Sequence, residues 1–498
     1  MLRLLTTLCL SFLISIMPAR AAVIDAATLA QVDAIFSRWA LDAHVPGMAY
    51  GVVADGRLVH FGGLGVQDLD RSTPVDRRTL FRIASMSKAF TALAILKLRD
   101  EGRLSLDRPA ETYVPELRGW TYPTKDARRL TVRDLLNHSA GFVDDNPWGD
   151  RQQSLPEADF TAMLRAGVPF SRVPGSAMEY SNFGYATLGR IVSNVSGKRY
   201  QDYIGDTLLR PLGMASTTYD IAKSPLDRRA IGYRWEDDRW VREPDLADGA
   251  FGAMGGMETS AEDYVRWISF LLSAWPARDD ADAGPVSRAT VRSIVEGSNF
   301  ATGTMRAAAI GGAPCRQAGA YAMGWRVIDD CDLGRVVTHT GGYPGYGSVV
   351  MLMPDKGVAI FAFANRTYAA PYVPAFRAAL ALHSAGAIVD RAIPVSAGVN
   401  EAYAAVGRIW ASGDVLTARD RLAMNFLLDR DAAHWKADLA RLRTAVGACD
   451  TSATPSPQTA MGARFQWTCE HGRIEGSLLL APTPRSSIQE LKLAVAQP

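Results

Sequence analysis

The sequence predicts an α+β protein: an antiparallel sheet covered by helices, with a helical region inserted between the sheet's two ends, and then a small C-terminal α+β domain. Three observations predict it. Near the start, MAYGVVADGRLVHFGGLG reads as two strands joined at Asp55-Gly56, a strong hairpin signal. From residue 319 the apolar period becomes that of strands, and AYAMGWRVI, GRVVTHTGG, SVVMLMP and GVAIFAFAN follow as a meander. Between these ends, residues 103–280 carry helical patterns separated by long loops.

The elements follow in order. DAATLAQVDAIFSRWALDA reads as an amphipathic helix before the first hairpin. SMSKAFTALAILKLRDE, residues 85–101, is apolar or small on nearly every face of its first half, which predicts a central, buried helix ending at Gly102. Thr131 and Asp134 form a capping box that opens TVRDLLN. A helix is predicted from about Phe183 to Val195, stopped by Gly197, and another in ETSAEDYVRWISFLL. The loops 141–155 and 215–255 are long for a compact domain, and such loops usually bear function. Pro354-Asp355-Lys356-Gly357 turns the last two strands of the meander, and PYVPAFRAALALHSAG returns to helix.

Residues 389–398 thin into a linker. Beyond it, helical patterns precede strands around ARFQWTCE, GRIEGSLLLAP and IQELKLAVA. The expected domains are a main domain at 22–388 and an accessory domain at 399–498 with no arrangement of catalytic type.

Residues 1–21 read as a secretory signal peptide: Arg3, an apolar LLTTLCLSFLISIM, then Ala19-Arg20-Ala21 for cleavage. That apolar stretch falls short of the roughly 20 residues a spanning helix needs, so a periplasmic or secreted protein with no membrane span is expected. Formal net charge is +2 over 498 residues, and removing the leader leaves basic and acidic residues equal in number. No electrostatic footprint for nucleic acid results. Four cysteines remain, Cys315, Cys331, Cys449 and Cys469, an even number in an oxidising compartment, which suggests disulfides. Sequential pairing keeps each bridge in its own region; two other pairings are open. There is no CxxC pair and the seven histidines are scattered, so neither a metal nor a cofactor is expected.

The chemistry starts from Lys88. The chain has only eight lysines, and this one lies in the first turn of an apolar helix. Burial favours the neutral amine, which can accept a proton. Ser85 is three positions earlier, so one turn puts both side chains on one face, and a hydroxyl beside such an amine is a candidate nucleophile at a helix N-terminus. Ser87 is adjacent to Lys88 and does not share its face. In MEYSNFGY, Tyr180 and Asn182 are two apart and point the same way on an extended stretch. Tyr180 is a candidate acid or base on the leaving group, and Asn182 a holder of a substrate carbonyl and the lysine. His339-Thr340-Gly341-Gly342 lies at the end of a strand whose backbone can face a substrate, with glycines for close approach. Tyr343 and Tyr346 either line an acyl pocket or pack the sheet.

Taken together, Ser85-Met86-Ser87-Lys88, Tyr180-Ser181-Asn182 and His339-Thr340-Gly341 resemble, in order and spacing, the three motifs of the penicillin-recognising serine family. The closer resemblance is to the branch of class C β-lactamases, D-alanyl-D-alanine carboxypeptidases, D-aminopeptidases and related esterases. LLNHSAG at 135–141 and GAMGGMETSAEDYVRW also resemble connecting segments of that branch, and the resemblance covers about residues 30–385. It implies a sheet of five or more antiparallel strands, an all-helical subdomain and a groove between them. It implies Ser85 as the acylated nucleophile, Lys88 as its proton acceptor, Tyr180 as the proton exchanger for the leaving group, and Asn182 as a substrate-orienting amide. The backbone N–H groups of Ser85 and Gly342 are implied as the oxyanion hole. His339 departs from the lysine common in the family; a partly charged histidine weakens the case for β-lactam hydrolysis. The expected activity is therefore amide cleavage in small or D-amino-acid-containing peptides, with cell-wall fragments among the substrates. A carboxylesterase, a β-lactamase and a catalytically idle module binding cell-wall peptides are the alternatives.

Overall fold

The computed structural model describes residues 24–296, 299, 302–391 and 393–496. The expected leader, residues 1–21, lies outside them. The chain divides into two compact units, up to Asp390 and from Arg391.

The first unit is built on a nine-stranded antiparallel sheet. Its strands in chain order are β1 (Gly47–Ala54), β2 (Arg57–Asp68), β3 (Thr73–Pro74), β4 (Thr302–Met305), β5 (Arg316–Tyr321), β6 (Arg326–Asp330), β7 (Gly334–Tyr343), β8 (Tyr346–Met353) and β9 (Val358–Ala364). The spatial order is β3-β2-β1-β9-β8-β7-β6-β5-β4. The N-terminal hairpin thus adds to the last strand of the meander, and β1 pairs with β9 from Met48↔Ala364 to Ala54↔Val358. Asp55 and Gly56, at φ 47° and 73°, make the left-handed two-residue turn between β1 and β2.

The apolar run of β9 has a direct cause. Ala359, Phe361 and Phe363 face the core under the inserted helical region, while Val358, Ile360, Ala362 and Ala364 face a second core. In that second core Val32 and Phe36 of the first helix (Ala26–Asp42) and Phe376 and Leu382 of the last (Tyr372–Ser384) cover the sheet. A strand buried on both faces reads as continuous apolar sequence, and each fully buried Phe or Ile contributes about 1.5–3 kcal/mol.

Three sequence expectations change. AYAMGWRVI, read as one strand, is the end of β5, a turn at Ala322–Trp325 and the start of β6; Ala322 N–H donates to the Trp325 carbonyl. β4 was not expected at all. The inserted region is not purely helical: Leu80–Arg82 pairs with Glu258–Ser260, and Tyr233–Glu236 with Arg239–Arg242. The capping box at Thr131 and Asp134 is present and opens the helix Val132–Leu136.

The second unit has helices Ala397–Ser412 and Ala432–Val446 and a separate five-stranded antiparallel sheet, with its own core around Val406, Ile409, Phe465, Trp467 and Ile474. Disulfides join Cys315 to Cys331 and Cys449 to Cys469, the sequential pairing. Among the described residues no helix is long and apolar enough to cross a membrane.

Candidate functional site

Ser85 lies in a short 3-10 turn, Ala84–Ser87, and the α-helix proper begins at Lys88 and runs to Asp100. The serine therefore precedes the α-helix rather than opening it, and the three-residue spacing still brings the pair together: Lys88 Nζ is 3.1 Å from Ser85 Oγ. Ala84, just before the serine, has φ +48°, a left-handed conformation that disfavours a side chain by about 1–2 kcal/mol. Ser87 has a structural task. Its hydroxyl donates to the Ala84 carbonyl and accepts from Met257 N–H, pinning the turn to the inserted region.

The sheet pins the other side. Ser348 Oγ of β8 donates to the Ile83 carbonyl at 2.8 Å. A Cβ on Gly341 of β7 would lie 2.2 Å from Ser348 Oγ and 2.3 Å from the Ile83 oxygen. The glycine is thus required by the approach of β7 to the Ser85 turn. Tyr368 lies against Gly342, where a Cβ would meet its ring at 2.8 Å.

Lys88 is fully buried. Its Nζ also donates to Asn182 Oδ1 at 2.7 Å and to the Met254 carbonyl at 2.7 Å. The three partners use all three donors of an ammonium and leave a neutral amine able to accept from Ser85. Burial pushes the amine down to about 7, against the opposing pull of Asp150 and Asp145. Tyr180 places its ring centroid 5.0 Å from Nζ. Burial, and then Tyr321, hold the Tyr180 phenol well above its usual value, so it stays protonated.

Tyr180 and Asn182 reach the lysine from the start of the helix Asn182–Ser196. Ser181 is the N-cap, its Oγ accepting from Gly184 N–H. Asp145 adds a second cap, Oδ1 accepting from Asn182 N–H at 2.6 Å and Oδ2 from Phe183 N–H at 2.8 Å. Ser181 N–H donates to His138 Nδ1, and the His138 ring packs 4.3 Å from the Tyr180 ring.

His339 is buried. Its Nδ1 is 2.6 Å from the Thr340 carbonyl and its Nε2 is 2.9 Å from Tyr321 Oη. A carbonyl only accepts, so Nδ1 carries the proton and Nε2 accepts from the tyrosine. Burial first, then the Lys88 charge, take the imidazole down to about 3. It is neutral near pH 7, further from a carboxylate-binding cation than the partial charge expected from its sequence. Tyr343 is buried beneath the Arg82 guanidinium, 4.7 Å from the ring centroid, and Tyr346 donates to the Ala230 carbonyl. Both are packed within the fold.

The structure therefore brings Ser85, Lys88, Tyr180, Asn182 and His339 together, with Thr340, Gly341 and Gly342 on the adjoining strand. Sequence reasoning missed His138, Asp145, Asp150, Tyr321 and the Met254 carbonyl. The long loops 141–155 and 215–255 were the available signal, since they supply Asp145, Asp150 and the approach to Met254.

The sheet, the inserted region and this constellation define the fold class shared by β-lactamases and penicillin-binding proteins. Residues 26–384 match the family model described as Beta-lactamase, and the chain belongs to that family. Protein Flp of Staphylococcus aureus (strain COL) is 30% identical over 346 residues, 69% of this chain and 64% of that protein. An uncharacterized protein of Mycobacterium tuberculosis is 32% identical over 239 residues, 43% of this chain and 59% of its own length. The chain thus spans about three fifths of the length of these curated relatives. The octameric penicillin-binding protein homologue from Pyrococcus abyssi aligns with a TM-score of 0.58 at 20% identity, over 94% of this chain and 98% of that one. A class C β-lactamase from Rhodobacter sphaeroides aligns with a TM-score of 0.54 at 24% identity, over 71% and 98%. These two are likenesses of fold.

Proposed function

We propose that this protein is a serine hydrolase that cleaves amide bonds of small or D-amino-acid-containing peptides through an acyl-enzyme on Ser85. The observation that carries the proposal is the buried Lys88 amine 3.1 Å from Ser85 Oγ, with its remaining donors held by Asn182 and Met254. In the reaction Lys88 takes the Ser85 proton as Oγ bonds to the acyl carbon. Tyr180, kept protonated by burial, donates to the departing amine and later takes a proton from the attacking water, while Lys88 returns its proton to Ser85 Oγ as the acyl bond breaks. The N–H groups of Ser85 and Gly342 hold the oxyanion, and Asn182 orients the substrate. Amine leaving groups need a proton donor, which favours an amidase role for Tyr180.

The neutral His339 offers no charge to a substrate carboxylate. This disfavours β-lactams and favours peptides and amides recognised in other ways. Carboxyl esters, which need no such cation, are the second reading on the same observation. We place the hydrolase domain at 22–388, with 399–498 as an accessory domain, in an exported protein. A panel of D-alanyl amides, D-Ala-D-Ala peptides, p-nitrophenyl esters and a chromogenic cephalosporin tests the proposal. The amides are expected to show the highest kcat/KM. A preference for the cephalosporin, or no turnover of any of the four, would overturn it.

A further inference from the structure

Asp150 ends the short helix Asn146–Asp150 and is buried, though no hydrolytic step above uses it. The helix packs directly on Asn182: a Cβ on Gly149 would lie 2.6 Å from the Asn182 Cβ. The Asn182 amide is held at both ends. Its Oδ1 accepts from Lys88 at 2.7 Å. Its Nδ2 meets only acceptors: Asn146 Oδ1 at 3.2 Å, the Asn146 carbonyl at 3.4 Å and Asp150 Oδ1 at 3.4 Å. Turning the amide over would face Nδ2 with the Lys88 donors and leave Oδ1 among these oxygens, so one orientation is selected. The other carboxylate oxygen, Asp150 Oδ2, is buried with no partner within hydrogen-bonding distance. A buried carboxylate left partly unpaired in this way is costly unless a charge nearby uses it.

We propose that Asp150 is a positioning residue: it fixes the Asn182 amide so that Oδ1 faces Lys88, and it is the counter-charge that steadies Lys88 once Nζ has taken the Ser85 proton. The proposal rests on the reading of Ser85 and Lys88 as nucleophile and base. When the Ser85 O–H bond breaks, the proton moves to Nζ and an ammonium forms in a buried position. Groups on every packed element act on it. Asp145 and Asp150 oppose the ammonium's burial, and both act on Lys88 through space. His138 and His339 stand on the other flank, and burial lowers both, so they add no positive charge. Tyr180 and Tyr185 present their rings, and their phenols stay protonated. Asp150 itself is raised to about 7 by burial, with Lys88, Tyr368 and Arg151 pulling it back and Asp145 pushing it up.

The test follows fluorophosphonate labelling of Ser85 against pH in the full chain. Asp150→Asn keeps an oxygen for Asn182 Nδ2 and removes the charge. Its acid limb is expected to move to lower pH by about one unit, because the charge that favoured the Lys88 ammonium is gone. Its plateau rate should stay within about tenfold of the parent. Asp150→Ser removes both charge and reach, so the same shift should come with a larger loss of plateau rate. Circular dichroism and melting identify which variants are folded. A folded variant of either kind that keeps the parent acid limb overturns the proposal. Absence of labelling at Ser85 in the parent would instead overturn the underlying reading of the site, and this proposal with it.

Discussion

In the proposed reaction Lys88 has one task that arginine does not share. It must be neutral at working pH to receive a proton, and burial brings it to about 7. Arginine stays protonated under any such burial. Lys88→Arg is therefore expected to lower kcat/KM by about a hundred- to ten-thousand-fold, measured on the best amide of the panel. The parent kcat/KM should fall with an acid limb near pH 7, because the protonated form that predominates below that pH cannot accept from Ser85. Tyr180→Phe removes the proton proposed to reach the leaving group while leaving the ring packed against His138. It should reduce amide turnover by about a hundredfold or more and ester turnover less, because an alkoxide or phenoxide leaves with less help. The ratio of the two kcat/KM losses is the measurement.

At the scale of elements, two contacts hold the site in register. Asp145 caps the helix Asn182–Ser196 with two backbone bonds. Asp145→Ala should destabilise the protein by about 1–2 kcal/mol, read as a shift in the urea midpoint. The other contact is β7 against the Ser85 turn. Gly341→Ala would push a methyl into Ser348 Oγ and the Ile83 carbonyl. Overpacking of this kind costs about 1–3 kcal/mol, and here the displaced atoms belong to the turn that carries the serine. The labelling rate should therefore drop by more than tenfold while the folded chain persists in circular dichroism.

These elements also show what was legible beforehand. The meander and the hairpin were readable because alternation and Asp55-Gly56 are local signals. The β9 run was readable because its neighbours bury both its faces. AYAMGWRVI reads as one strand because a lone glycine in an apolar run is a weak signal, yet Gly324, at φ +80°, is where the chain turns within Ala322–Trp325. Of the two small sheets in the inserted region, one pairs Leu80–Arg82 with Glu258–Ser260, far apart in sequence, and no window of local period contains both; the other, Tyr233–Glu236 with Arg239–Arg242, is a local hairpin turning at Asp237-Asp238, inside the stretch 215–255 that reads as loop. The same limit applies at the site. Ser85 and Lys88 share a turn, so their spacing is visible. Asp150 meets Asn182 across a loop, and His339 becomes neutral through burial and the Lys88 charge, neither of which the motif spells out.

On the scale of the whole molecule, each unit has its own core and its own sheet. All the groups described around Ser85 lie before Asp390. A chain ending at Asp390 is accordingly expected to fold and to label at about the parent rate, with gel filtration and labelling as the checks.

The proposed acyl-enzyme on Ser85 depends on a neutral Lys88. Mass mapping of the fluorophosphonate adduct, repeated from pH 5 to pH 9, tests it most directly. A single adduct on Ser85 is expected, with a rate that rises through about pH 7, and no adduct in Ser85→Ala. An adduct on another residue, or labelling of Ser85 that is as fast at pH 5 as at pH 9, would contradict it.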